Sequence, residues 1–319
     1  MIALLSLLLL VSRAFSHDWK SLCRTNSEKY PNYNDFKRAF SLQPFHSQLV
    51  AGTTATNGIA RDAKPYYLFE YSLEPGSISA EALKAAFFAR ADFLDQWLSG
   101  HAWKGRLICY LKEGKGALLI VKETPGRVFD PILHHIPRRI AVKARFYRVL
   151  AERLQAMAAK GWVVYALSPA FLTVTRRGRP QMMNVHEMHP IGAVAEVSVA
   201  QARQYSSLKN SQVSAARGYW VSYLADEGWS AWALLDLMHE MEISPTHQHL
   251  RPVPLTAEEL TETNRLNAFV QERLAQALPP SLQSIKRFLQ KLAGEKSAPK
   301  RTALPTGSST KTPKTAKKL

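Results

Sequence analysis

The stretch Gly161-Trp162-Val163-Val164-Tyr165-Ala166-Leu167-Ser168-Pro169-Ala170-Phe171-Leu172-Thr173-Val174 holds two short apolar runs, 162–167 and 171–175, on either side of a Ser-Pro turn. Runs this short, built from valine and aromatic side chains, predict two β-strands. A basic turn, Arg176-Arg177-Gly178-Arg179-Pro180, then leads into a third apolar run at 181–185, another expected strand. Upstream, apolar side chains at 142, 146, 149, 150, 154 and 157 recur at three- and four-residue steps. That spacing predicts a long helix over 140–159, which Gly161 closes.

Working outward, the same criteria order the rest of the chain. Residues 66–73 are short and aromatic-rich, a strand. Residues 77–98 have helical spacing, with Ser79 as an N-cap. Two apolar runs at 106–111 and 117–121 flank Glu113-Gly114-Lys115-Gly116, which predicts a hairpin. Thr124-Pro125-Gly126 breaks the chain before the long helix. Residues 228–241 hold Trp229, Trp232, Leu234, Leu235, Leu237 and Met238, an apolar helix, and 256–277 and 281–292 have the spacing of two more helices. A mainly β part followed by a mainly α part predicts an α+β fold in two lobes.

The chain has 319 residues, 46% of them hydrophobic, enough to bury a sizeable core. Its formal charge of +17 invites a nucleic-acid or anionic-membrane reading. From Lys286 onward, however, ten basic residues face a single acid, Glu295. More than half of the excess therefore lies at the C-terminal end, and the body does not require nucleic acid. Residues 295–319 are expected to form a basic disordered tail, a solubilising segment or an electrostatic contact with acidic partners or membrane. At the other end, residues 2–11 are an apolar run broken only by Ser6, and Ala14-Phe15-Ser16 has the small-x-small pattern of a signal-peptidase site. Residues 1–16 are thus expected to be a secretory leader, the alternative being a buried N-terminal element. No later run approaches the length of a membrane span, so no transmembrane segment is expected after cleavage. In an oxidising compartment, Cys23 and Cys109 could form one disulfide or remain two unpaired thiols.

The order of elements, with its residues, resembles a protein kinase. Gly161, Val163, Leu167, Pro169, Leu172 and Val174 fit the frame of the kinase catalytic loop, G-I-V-H-R-D-L-K-P-x-N-I-L-V. Gln181-Met182-Met183 stand where kinases carry Lys-Leu-Ile before the D-F-G motif, and residues 117–130 resemble the fifth strand, the hinge and the start of the next helix. Glu227-Gly228-Trp229-Ser230 resembles the start of the buried helix that begins D-x-W-S-x-G. The resemblance covers roughly residues 60–245. It implies a two-lobed fold with a β-rich lobe at 41–125 and a helical lobe at 126–294 whose end is shortened or divergent. An N-terminal arm occupies 17–40. The A-P-E motif is not recognisable in 215–226.

The same resemblance implies that the chemistry is gone. The position of the catalytic aspartate is Ala166, and the loop asparagine that helps hold magnesium falls on Phe171. Asn184, Val185 and His186 stand in place of D-F-G, so the metal-bridging carboxylate is an uncharged amide. Strand 66–73 has no lysine to meet phosphates and puts Glu70 near that slot, while residues 52–58 do not form a G-x-G-x-x-G loop. The resemblance therefore implies a catalytically inactive pseudokinase with no metal, ATP or other cofactor, acting by protein–protein interaction as a scaffold or allosteric partner of an active kinase or a kinase substrate. A leader on such a body resembles the secreted rhoptry and dense-granule kinase-like proteins of apicomplexan parasites, which implies secretion or storage in a secretory organelle. Two alternatives are an atypical active nucleotide-dependent kinase using Asn184, and a basic nucleic-acid or membrane-binding protein acting through its tail.

Other clusters carry less. His186-Glu187-Met188-His189 is not H-E-x-x-H, and Pro190 interrupts the helix that motif needs. His239, His247 and His249 read as surface or capping residues before they read as a metal site. Ser168 has no partner base, Arg176, Arg177 and Arg179 mark a solvated hairpin tip or a phosphate contact, and Trp229 and Trp232 read as core before ligand platform.

Overall fold

In the computed structural model, residues 18–50, 53–73, 79–99, 105–112, 114–122, 140–167, 172–174, 180–182, 187–242, 256–276, 278 and 281–294 are described. Within them the architecture is mixed α+β, with the main sheet in the N-terminal region and the long helices mostly C-terminal. The sheet comprises β1 (Gln43–Val50), β2 (Thr53–Ala60), β3 (Lys64–Ser72), β4 (Gly105–Lys112) and β5 (Lys115–Lys122), in the order β1-β2-β3-β5-β4. All its pairings are antiparallel. The expected hairpin is β4–β5, turning at Gly114 with φ 72°, a conformation glycine adopts without a Cβ penalty.

Three helices cover the two faces of this sheet. The predicted helix is α3 (Ala80–Ser99), and the Ser79 hydroxyl accepts from the Ala82 N–H at 3.2 Å as an N-cap should. It packs Phe87, Ala91 and Leu94 on Tyr67, Phe69 and Tyr71 of β3 and on Leu118 and Ile120 of β5. The segment expected as an arm is part of the fold. It forms α1 (Trp19–Lys29) and α2 (Tyr33–Ala39), N-capped by Asp18 and Asn32. Helix α1 lies along β4, which is an edge strand. There the Asn26 amide donates to the Cys109 carbonyl at 2.8 Å, and Ser27 Oγ accepts from the Leu111 N–H at 3.0 Å. Cys23 and Cys109 are disulfide-bonded, which settles the open pairing and clamps α1 to β4. Helix α2 covers the opposite face, burying Phe36 against Tyr66, Leu68, Ile108, Tyr110 and Leu119.

The long helix is α4 (Ile140–Ala158), and after Gly161 come the short strands β6 (Trp162–Val164), β7 (Leu172–Val174), β8 (Pro180–Met182) and β9 (Met188–Pro190). Strand β6 pairs with β9 and β7 with β8, both antiparallel. Residues 194–224, which overlap the stretch 215–226 where the A-P-E motif is not recognisable, hold a second sheet. Its strands are β10 (Val194–Ser198), β11 (Val213–Arg217) and β12 (Trp220–Leu224), in the order β10-β12-β11, with α5 (Val199–Gln204) and α6 (Ser206–Lys209) between the first two. Then come α7 (Trp229–Glu242), α8 (Ala257–Leu274) and α9 (Leu282–Leu292), the last two N-capped by Thr256 and Ser281. Helices α4, α7, α8 and α9 share one core, in which Phe269 and Phe288 stack at 3.7 Å. Buried within it, Lys143 of α4 donates to Glu242 of α7 at 2.6 Å, and the Tyr147 hydroxyl donates to the same carboxylate at 2.9 Å. No helix among the described residues is long and apolar enough to cross a membrane.

Candidate functional site

The residues that follow β6 sit where α3, β9, α7 and the second sheet converge. Pairing Val163 with His189 brings β9 alongside β6. Ser230, in the first turn of α7, accepts from the Val164 N–H at 3.2 Å, and Ser207 of α6 donates its hydroxyl to the Tyr165 carbonyl at 2.6 Å. Both hydroxyls are buried, so the backbone entering Ala166 is held on both sides in a water-poor setting. The sequence puts the tie from this helix to the loop in doubt because Glu227 stands for the expected aspartate. Ser230 supplies such a tie from three residues further on.

Ala166 itself is fully buried, in a cluster with Val163, Tyr165, Ala195, Val197 and Trp229. Around its neighbour Tyr165 lie the rings of Tyr205, His189 and Trp229. Tyr165 meets Trp229 edge-on at 6.0 Å and Tyr205 at 5.7 Å. The Trp229 indole N–H donates to Ser211 Oγ at 2.6 Å. Trp229 and Trp232 are therefore core residues, as the plainer reading of their helix expects.

Arg90 joins this centre to the main sheet. It comes from α3, is buried, donates to the Met188 carbonyl of β9 at 2.7 Å, and stacks its guanidinium 5.0 Å from the Tyr71 ring of β3. Glu187 is fully buried next to this junction. Burial, with the Glu187 charge added, pushes the Tyr165 and Tyr205 phenols up. Burial also pushes the Tyr71 phenol up, and Arg90 partly offsets it. Burial, reinforced by the Arg90 charge, lowers His189 from 6.5 to about 3. The tyrosines thus stay protonated and the histidine stays neutral at neutral pH.

Of the expected kinase-like positions Glu70 and Ala166 are described, and they lie apart, Ala166 in the cluster with Trp229 and Glu70 on the main sheet. Glu70 faces away from α3, on the sheet surface covered by α2, where its carboxylate is 3.8 Å from Lys37. The β3 residues that face α3 are Tyr67, Phe69 and Tyr71. There Tyr71 and Arg90 meet as ring and cation. Gly58 lies inside β2, where an added Cβ would come within 2.0 Å of the Gln43 carbonyl oxygen. Close strand approach accounts for this glycine without any phosphate. A groove of about 640 Å³ lies on the α2 side of the sheet, lined in part by Lys37, Arg38, Gln43, Thr56, Tyr66 and Glu70. Ser168, Phe171, Arg176, Arg177, Arg179, Asn184, Val185, His186, His247 and His249 lie outside the described residues. Among the described residues, no group of three or more His, Cys, Asp or Glu side chains is placed to hold a metal ion. Arg90, Tyr71 and Ser207 were not singled out by their sequence context, since each acts through a partner distant along the chain.

No protein-family model matches the chain, and no curated protein matches it in sequence.

Proposed function

We propose that the chain is a secreted, degenerate protein kinase-like domain that has lost phosphotransfer and works by binding another protein, an active kinase or a kinase substrate, as scaffold or allosteric partner. The observation that carries this reading is the buried methyl of Ala166 at the place where phosphotransfer needs a proton-accepting carboxylate. Supporting the kinase-like frame is the connectivity. A five-stranded antiparallel sheet has α3 inserted between β3 and β4, and it is followed by α4, the β6–β9 and β7–β8 pairs and the buried α7. The Cys23–Cys109 disulfide suits an oxidising compartment, in keeping with a secretory destination.

The reading makes nucleotide irrelevant to the folded state. Thermal unfolding with millimolar ATP, with and without Mg²⁺ or Mn²⁺, is expected to give an unchanged midpoint. A metal-dependent rise of several degrees would remove the nucleotide-free part of the reading and favour an active enzyme. Affinity capture of the chain from its native cell addresses the partner. Recovery of a kinase or of its substrate is expected, and recovery of nucleic acid alone would overturn the scaffold role.

A further inference from the structure

On the α2 side of the main sheet, lysines gather at one corner. Lys29 ends α1 with its ammonium group 5.4 Å from the centroid of the Tyr30 ring. Lys37 of α2 and Lys115 of β5 both lie over the Tyr33 ring, 4.8 and 5.8 Å from its centroid. Their ammonium groups are thus at most about 11 Å apart, so one extended anion reaches both. Lys112 of β4 donates to the Pro31 carbonyl at 2.6 Å and pairs across the hairpin with Lys115. Four cations therefore converge on the turn 30–33 between α1 and α2.

The arrangement is unfavourable for the chain alone, because like charges directly opposite on adjacent strands destabilise the pairing. Elsewhere Arg24, Arg38, Arg148 and Lys286 each have a carboxylate partner. Among the described residues Lys29, Lys112 and Lys115 have none, and Lys37 has Glu70 at 3.8 Å. The tyrosine rings and the Pro31 carbonyl nonetheless hold these ammonium groups in place. Little side-chain freedom is therefore lost when an anion binds them.

The corner continues into the groove of about 640 Å³ on the same side of the sheet, which Lys37 and Glu70 also line. The groove further presents Ser41, Gln43, Ser47 and Thr56, neutral residues that both donate and accept hydrogen bonds. Glu70 there accepts from a hydroxyl but repels an anion. The groove thus suits an uncharged, hydroxyl-bearing part of a ligand, and the lysine corner a charged part. A chain with a disulfide suits an oxidising compartment, where sulfated polysaccharide is a common polyanion. We propose that corner and groove together bind a sulfated polysaccharide, its sulfate groups on Lys29, Lys37, Lys112 and Lys115 and the hydroxyls of an adjoining sugar in the groove. The cations belong to α1, α2 and the β4–β5 hairpin, not to the basic C-terminal end, and the site does not depend on the kinase-like reading.

Calorimetric titration of the full chain, disulfide intact, with a heparin oligosaccharide in about 0.15 M salt is the test. Lys112→Ser combined with Lys115→Ser is expected to weaken binding about tenfold or more, with a thermal midpoint that is unchanged or raised. Lys317→Ser combined with Lys318→Ser removes the same charge from the C-terminal end and is expected to change the affinity less than about twofold. Lys29→Ser alters one exposed side chain at a helix end. It is expected to weaken binding about threefold, and it keeps the question answerable if the hairpin variant fails to fold. Desulfated heparin and a DNA oligonucleotide of the same charge as the heparin are both expected to bind about tenfold or more weakly. A chain that does not bind heparin would overturn the proposal. Equal losses from the hairpin and C-terminal variants would do the same, as would DNA bound as tightly as heparin.

Discussion

Lys143 and Glu242 are both buried, and each is held in the helical core by the other's charge. Removing one partner strands the other in a medium that cannot solvate it. Lys143→Met should therefore destabilise the chain by about 3–5 kcal/mol, read as a lower urea midpoint. Pairing it with Glu242→Leu should restore most of that loss, because the pair and a well-packed apolar substitute are close in energy. A double variant no better than the single one would mean that losing the Tyr147 bond to the same carboxylate costs as much as the stranded charge. His189 is a different case, a neutral side chain whose ring nitrogen Nε2 is enclosed with no hydrogen-bond partner among the described residues. In the unfolded chain it takes up a proton near pH 6.5, whereas in the folded chain it does so only near 3. Between those values the unfolded state binds more protons, so stability is full above about pH 6.5 and declines as pH falls toward 3. This one group contributes a slope of up to about 1.4 kcal/mol per pH unit. His189→Phe fits between Tyr165 and Trp229 and should flatten the acid side of the stability curve by that amount. Parallel curves for the two proteins would mean that His189 is protonated in the fold.

At the scale of elements, the disulfide between α1 and β4 spans 86 residues of sequence. Closing so long a loop restricts the unfolded chain, an effect of up to about 4–5 kcal/mol in the chain-entropy model. Replacing Cys23 and Cys109 together by serine should lower the thermal midpoint by many degrees, and reductant should do the same to the unaltered chain. A midpoint insensitive to both would mean that Asn26, Ser27 and the packing of α1 hold the edge without the covalent clamp. Helices α3, α4, α7, α8 and α9 were legible in the sequence because each has sustained apolar spacing, and α3, α8 and α9 also have a capping hydroxyl at Ser79, Thr256 and Ser281. Helices α1 and α2 were not, since residues 17–40 are largely polar and the helices bury little beyond Cys23, Ser27 and Phe36. The second sheet was hidden for another reason. Its strands are five residues long, and only the alternation of Ala195 with Val197 and the Gly218 turn mark it. On β3 the two faces look alike in sequence, because residues 65–69 are all buried. Only packing reveals that Tyr71 faces α3 while Glu70 faces α2. Arg90 was illegible in the same sense, its partner Met188 lying 98 residues away.

At the scale of the whole molecule, α3 belongs to two cores at once. Phe87, Ala91 and Leu94 lie in the core of the main sheet, while Phe93 and Trp97 lie in the core of the long helices. Phe93 stacks on Trp162 of β6 at 4.7 Å and on Trp97 at 5.7 Å, and Arg90, one turn away, holds β9. The two halves are thus joined by aromatic stacking and a buried charge-assisted hydrogen bond, both lost if either half unfolds alone. Such coupling predicts one cooperative transition, in which far-UV circular dichroism and tryptophan fluorescence trace the same urea curve. Phe93→Ala removes the stack and leaves a cavity between the cores, at a cost of about 3–5 kcal/mol. If α3 is the joint, that cost falls on the coupling as well as on total stability. The two probes should then separate, with fluorescence, dominated by tryptophans near the helical core, moving at a different urea concentration from the secondary-structure signal. Coincident curves in Phe93→Ala, merely shifted to lower urea, would place the coupling elsewhere. Arg90→Met would then be the variant to separate them, through the loss of its bond to β9.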